Sequence, residues 1–206
     1  MIRELIPLSE GTLNVLNELI RTDKIVNLSD LGRATGISVA GVVKIVKKLE
    51  KVGIVKTEKV GKSMIVSPVY DPKNTWIFSI VEKYNLDLFL SNNKQLKSLI
   101  MELRRSLDNI TDFSLIFGSY ASGEVSDESD LDILVVCGKE EEELILDKIR
   151  KNNVLTDIEL SPIIIERRDF IENYKKDHRL YSDIVGGKRV LISGEDEFWE
   201  MIIQLL

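Results

Sequence analysis

Two aspartates, Asp130 and Asp132, stand one residue apart at the head of an apolar run, and a Gly118-Ser119 pair precedes them across ten intervening residues. The segments 113–117 (FSLIF) and 131–136 (LDILVV) have the length and the branched, aromatic composition of buried strands. Side chains two apart on a strand share a face, so Asp130 and Asp132 are expected side by side while Leu131 and Ile133 point into a core. Adjacent carboxylates repel each other unless a cation lies between them. Mg²⁺ is commonly held by one or two carboxylates together with substrate phosphates, so the pair suits a magnesium-bound triphosphate, with Mn²⁺ as the alternative metal. Gly118 allows a tight turn with its amide toward a phosphate, and Ser119 adds a hydroxyl at a helix start.

Other phosphate and metal motifs fit less well. A Walker loop needs lysine after its second glycine, but Glu124 follows Gly123; Gly61-Lys62-Ser63 has Lys56 where the earlier glycine belongs. An EF-hand is excluded because glycine and the terminal glutamate are missing at the required offsets after Asp127 or Asp130. A solvated acidic loop ahead of a core strand is the remaining alternative.

The run GSYASGEVSDESDLDILVV resembles the nucleotidyltransferase superfamily that includes DNA polymerase β, the aminoglycoside nucleotidyltransferases and the small minimal nucleotidyltransferases. The resemblance implies that Asp130 and Asp132 hold metal ions and that Gly118 and Ser119 hold the β- and γ-phosphates of a nucleoside triphosphate. Ser122 departs from the pattern, standing where many members carry arginine.

The elements around this motif belong to a chain of 206 residues, 44% hydrophobic and 30% charged, enough for one large or two small cores. No run approaches a membrane span and the start does not read as a signal peptide, so the expected compartment is the cytoplasm, with no membrane partner. A lone cysteine, Cys137, excludes internal disulfides and a multi-thiolate zinc site, and is expected as a small core residue. His178, among Lys175, Lys176, Asp177 and Arg179, is expected in a solvated loop. Charge divides the chain. Residues 1–70 carry 11 lysines and arginines against 7 acids, a net of +4, whereas residues 111–206 carry 11 against 22, a net of −11. A basic amino-terminal module can approach a phosphate backbone; the acidic module needs metal ions to accept one.

The expected architecture is α+β in two domains. In residues 1–70, Ser9 caps a helix with Leu13, Leu16 and Ile20 on one face, residues 28–34 form a short helix, and Thr35-Gly36-Ile37 a turn. Ser38 caps the next helix, whose apolar stripe of Val42, Ile45, Val46, Leu49 and Val52 opposes a basic stripe of Lys44, Lys47, Lys48 and Lys51. Gly53 ends that helix, and a hairpin follows around Val60-Gly61-Lys62. This run resembles winged helix-turn-helix regulators, three helices plus a β-hairpin. The resemblance implies that the helix from Ser38, with Lys44, Lys47 and Lys51, enters the DNA major groove and that the wing, Lys59 to Lys62, touches backbone. Lysines that merely solubilise the helix, or a face that docks protein or RNA, are the alternatives.

Residues 71–110 are expected as a helical linker, with Leu96, Leu99, Ile100, Leu103, Leu107 and Ile110 on one face that packs either on the sheet or on a second copy in a homodimer. Residues 111–206 are expected as the nucleotidyltransferase fold, a mixed sheet packed against helices. After the Asp-x-Asp strand comes an amphipathic helix over 139–151 and a strand over 157–165. The resemblance implies a third carboxylate on this strand, completing the metal site and taking the acceptor's proton; Glu159 is expected in that role, with Asp157 the alternative if the register slips by one pair. Glu159-Leu160-Ser161-Pro162 followed by Arg168-Asp169-Phe170 also resembles chains that join a winged helix to such a domain.

Two functions of different class follow. One is Mg²⁺-dependent transfer of a nucleotidyl group from a nucleoside triphosphate to a hydroxyl of nucleic acid, a small molecule or a partner protein. The other is a DNA-binding transcriptional regulator whose second domain senses nucleotide or mediates assembly without turnover.

Overall fold

A computed structural model describes residues 8–21, 26–126, 129–153 and 158–206. The chain divides into two compact units, Met1–Val81 and Glu82–Leu206.

The first unit runs α1 (Glu10–Ile20), β1 (Val26–Asn27), α2 (Leu28–Thr35), α3 (Val39–Lys51), β2 (Val55–Val60) and β3 (Ser63–Pro68). Each helix start is set by a short polar side chain: Ser9 accepts from Thr12 N, Asn27 from Ser29 N and Asp30 N, and Ser38 from Gly41 N. Gly36, at φ +68°, closes α2 in the left-handed region and turns the chain toward α3. Val60 pairs with Ser63, so the hairpin turns on two residues, Gly61 and Lys62, with Gly61 at φ +61° as such a tight turn requires. β1 joins the far side of β3 to give the order β1-β3-β2. Leu16, Leu31, Val42 and Leu49 are fully buried and form the helical side of this core.

α4 (Thr75–Asn92) crosses the boundary between the units, and the second unit continues with α5 (Lys97–Leu107), β4 (Phe113–Ile116), α6 (Gly118–Ser122), β5 (Leu131–Cys137), α7 (Glu142–Asn153), β6 (Leu160–Glu166), α8 (Arg167–Lys175), α9 (Arg179–Val185), β7 (Val190–Ser193) and α10 (Glu195–Leu205). Its sheet has the order β6-β5-β4-β7, with β5 and β6 parallel and the other pairs antiparallel. This mixed sheet with helices gives the second unit an α+β architecture. Pro162 lies on β6, an edge strand, where a missing N–H can face away from the ladder.

Alternation along β5 separates two cores. Leu131, Ile133, Val135 and Cys137 join the cluster that includes Leu99, Ile100, Leu103 and Leu107 of α5 and Ile145 and Ile149 of α7. The apolar stripe expected in the helical linker therefore packs within the second unit. On the other side of the sheet, Phe113 meets Phe170 and Phe198 edge to face, and Phe170 meets Tyr181 in the same way. Arg189, fully buried, lies over the rings of Phe198 and Trp199, donates to Glu82 of α4, and donates to the Ile184 and Val185 carbonyls at the end of α9.

The expected elements differ from the observed ones at their ends. The expected strand over 157–165 starts at Leu160, leaving Glu159 just ahead of it, and Asp157 lies outside the described residues. β5 starts at Leu131, so Asp130 precedes the strand and only Asp132 lies in it. The helix expected from Lys139 begins as a single 3₁₀ turn, with α7 following from Glu142.

Candidate active site

Gly118 lies one residue beyond β4, after Phe117, and starts α6 at φ +67°. Phe117 N donates to the Asp132 carbonyl at 3.1 Å, which ties the turn to the neighbouring strand. The Asp132 carboxylate then lies against Gly118, where a Cβ would overlap its Oδ2. Glycine is required here twice over, by conformation and by space. α6 lasts five residues and is closed by Gly123 at φ +78°, with Glu124 N and the Ser122 hydroxyl both donating to the Ser119 carbonyl, at 2.9 and 3.2 Å.

Asp132 is half-buried and Asp130 is exposed. Burial first, and the Asp130 charge second, raise the Asp132 carboxyl above its ordinary value. Such a pair is electrostatically incomplete. A divalent cation would relieve the repulsion, so the donor chemistry fits Mg²⁺ at Asp130 and Asp132. The parallel register pairs Leu131 with Leu160 and Asp132 with Ser161, and Leu131 N donates to the Glu159 carbonyl at 2.8 Å. Glu159 is thereby level with Asp130 on the adjacent chain, and its side chain is exposed. Among the described residues no three His, Cys, Asp or Glu side chains form a group that could hold a metal ion.

Gly118 and Ser119 also line a cleft of about 440 Å³, within the size range of small-ligand sites. Ser122 and Glu124 line the same cleft, together with Arg179, Asp183 and Lys188 of the α9 region. The two cations share one counter-ion. Lys188 Nζ lies 2.9 Å from Asp183 Oδ1, and Arg179 Nε 3.8 Å from Asp183 Oδ2. The sequence offered little sign of these three, since the Gly186-Gly187-Lys188-Arg189 stretch names a turn without saying what it faces.

Cys137 is buried in the α5-facing core, and its thiol is pushed up to about 11, by burial first and then by nearby carboxylates including Glu141 and Glu142. It is an inert core residue. His178 is exposed, directly precedes α9 and makes an edge contact with Tyr181.

In the first unit, Val42, Val46 and Leu49 bury one face of α3, and Lys44, Lys47, Lys48 and Lys51 are exposed on it. Lys59 and Lys62 are exposed on the hairpin. The Ser38 hydroxyl, 3.2 Å from Gly41 N, serves as the α3 cap. Among the described residues no helix is long and apolar enough to cross a membrane.

Residues 97–197 match the family model described as Polymerase beta, Nucleotidyltransferase. The match spans α5 through the first residues of α10 and takes in the whole four-stranded sheet, which supports a nucleotidyltransferase-type function for the second unit. No curated protein and no solved structure matches the chain.

Proposed function

We propose that the chain is a Mg²⁺-dependent nucleotidyltransferase, moving a nucleotidyl group from a nucleoside triphosphate to an acceptor hydroxyl, and that its first unit is a winged helix that binds DNA. The observation that carries the enzymatic half is the packing of the Gly118 backbone against the Asp132 carboxylate, because it sets the Gly118-Ser119 turn beside a carboxylate of the pair. Asp130 and Asp132 would hold the metal, and Gly118 and Ser119 the phosphate tail. Mg²⁺, when bound, supplies charge neutralisation on the phosphoryl oxygens.

The acceptor oxygen forms a bond to the α-phosphorus, the bond from that phosphorus to the bridging oxygen of the β-phosphate breaks, and pyrophosphate leaves with the electron pair. The acceptor proton passes to a nearby carboxylate, and Glu159, level with Asp130 at the same end of the sheet, is the residue assigned to receive it. The test is incubation with each α-labelled triphosphate and Mg²⁺ or Mn²⁺, alone and with nucleic acid or lysate protein. Label on a macromolecular or small acceptor is expected, and its loss in Asp130→Asn/Asp132→Asn ties it to this site.

For the first unit, support comes from the order of three helices and a hairpin, the Ser38 cap, and the exposed lysines at 44, 47, 51, 59 and 62.

One observation favours a second class of function. Glu159 is exposed and lies just ahead of β6 rather than in it, as suits a regulator that binds nucleotide without turnover. Glu159→Gln separates the two: an enzyme keeps its triphosphate affinity and loses transfer by roughly 10²-fold, the usual scale for removing a general base, whereas a sensor shows no transfer to lose.

A further inference from the structure

We infer that Lys188 and Arg179 are the cationic half of the triphosphate site, and that Asp183 is an internal counter-ion which the phosphate tail displaces. The inference rests on the proposed nucleotide site and extends it into the cleft. Gly118 joins the two halves, because it packs on the Asp132 carboxylate and also lines the same cleft as Lys188. A tail running from the aspartate pair over Gly118 and Ser119 enters a space of about 440 Å³ whose lining includes Lys188 and Arg179.

Both cations lean on the same carboxylate, Lys188 at 2.9 Å and Arg179 at 3.8 Å from Asp183 oxygens. Their side chains are 59% and 91% exposed, so the ion pairs are weak in water and open to exchange for a more highly charged partner. A triphosphate offers several oxygens where Asp183 offers two, and Lys188 is suited to it as a compact point charge. The lining around Lys188 is held firmly. Lys188 N donates to the Asp183 carbonyl at 2.9 Å, and buried Arg189 donates to the Ile184 and Val185 carbonyls at 2.8 and 3.1 Å. The turn between α9 and β7 is therefore preorganised, and only the exposed ends of the two cations need to move.

The opposite signs expected of three variants test this. Full-length protein is titrated by calorimetry with Mg²⁺-tripolyphosphate, which carries the tail without a base, and with the four Mg²⁺-ribonucleoside triphosphates. Lys188→Met is expected to weaken binding by about tenfold and Arg179→Met by about threefold, as removal of a charge-assisted hydrogen bond does. Asp183→Asn is expected to tighten binding severalfold; a merely structural ion pair would weaken it instead. Unchanged affinity in Lys188→Met and Arg179→Met, with binding abolished in Asp130→Asn/Asp132→Asn, overturns the inference and leaves the proposed function standing. Wild-type protein that binds none of the five ligands overturns both.

Discussion

The backbone of Gly118 and the carboxylate of Asp132 touch with no room between them for a methyl group, so the turn after β4 packs directly on the carboxylate on β5. This packing brings together two motifs that ten residues separate in the sequence. Its consequences are measurable.

Gly118→Ala has to move either the turn or Asp132. A left-handed φ costs an alanine about 1 kcal/mol, and the overlap adds to it. The expected result is a lower Tm together with loss of Mg²⁺-triphosphate binding by calorimetry. Gly123→Ala is the control: its φ is +78° but nothing lies within 4 Å of the added Cβ, so it should lose about 1 kcal/mol of stability and keep its binding.

Asp132 links pH to stability. Its folded carboxyl is raised, by burial and then by Asp130, so the folded chain binds this proton more readily than the unfolded one. Stability therefore falls as pH rises from the ordinary aspartate range through the raised value, and the deficit is complete above it. Asp132→Asn should raise Tm at neutral pH by about 1–3 °C, the scale of roughly 0.5–1 kcal/mol for a partly screened like-charge pair, and the gain should vanish in acid. A mutant less stable than wild type at neutral pH would contradict the electrostatic account. Mg²⁺ affinity should fall as pH drops through the same window.

The Arg189–Glu82 pair is fully buried and joins α4 to the start of β7 in the second unit. Removing one partner strands the other charge away from water, which costs about 3–5 kcal/mol. Arg189→Met and Glu82→Gln should each lower the unfolding free energy from urea titration by that scale. The double substitution should cost less than the sum of the two, because neither charge is then stranded.

DNA binding by the full chain should be steeply salt-dependent. If Lys44, Lys47 and Lys51 each meet a phosphate, changing all three to Gln should flatten the slope of log affinity against log salt by roughly 2–3, about 0.9 for each phosphate no longer neutralised. Binding that is absent at low salt on both random and upstream duplexes would point the α3 face toward a protein instead.

Local chemistry wrote much of this molecule into its sequence. Ser9 and Ser38 mark their helix starts, Gly61-Lys62 forms the hairpin turn, and the alternation of residues 131–136 separates Asp132 from the core-facing Leu131 and Ile133, all within a few residues. Gly118-Ser119 and Asp130-x-Asp132 were legible for the same reason, since a tight turn and a strand-end carboxylate pair are short-range patterns. Other features depend on pairings across the chain. The stripe on α5 does not name its partner, because any apolar surface would satisfy it; the sheet takes it. Glu159 comes level with Asp130 only through the parallel pairing of β5 with β6, a register set by long-range hydrogen bonds. Asp183 and Lys188 line one cleft with Gly118 although more than sixty residues separate them from it in the sequence, and Arg189 finds Glu82 across more than a hundred residues, distances over which local spacing carries no information and packing alone decides.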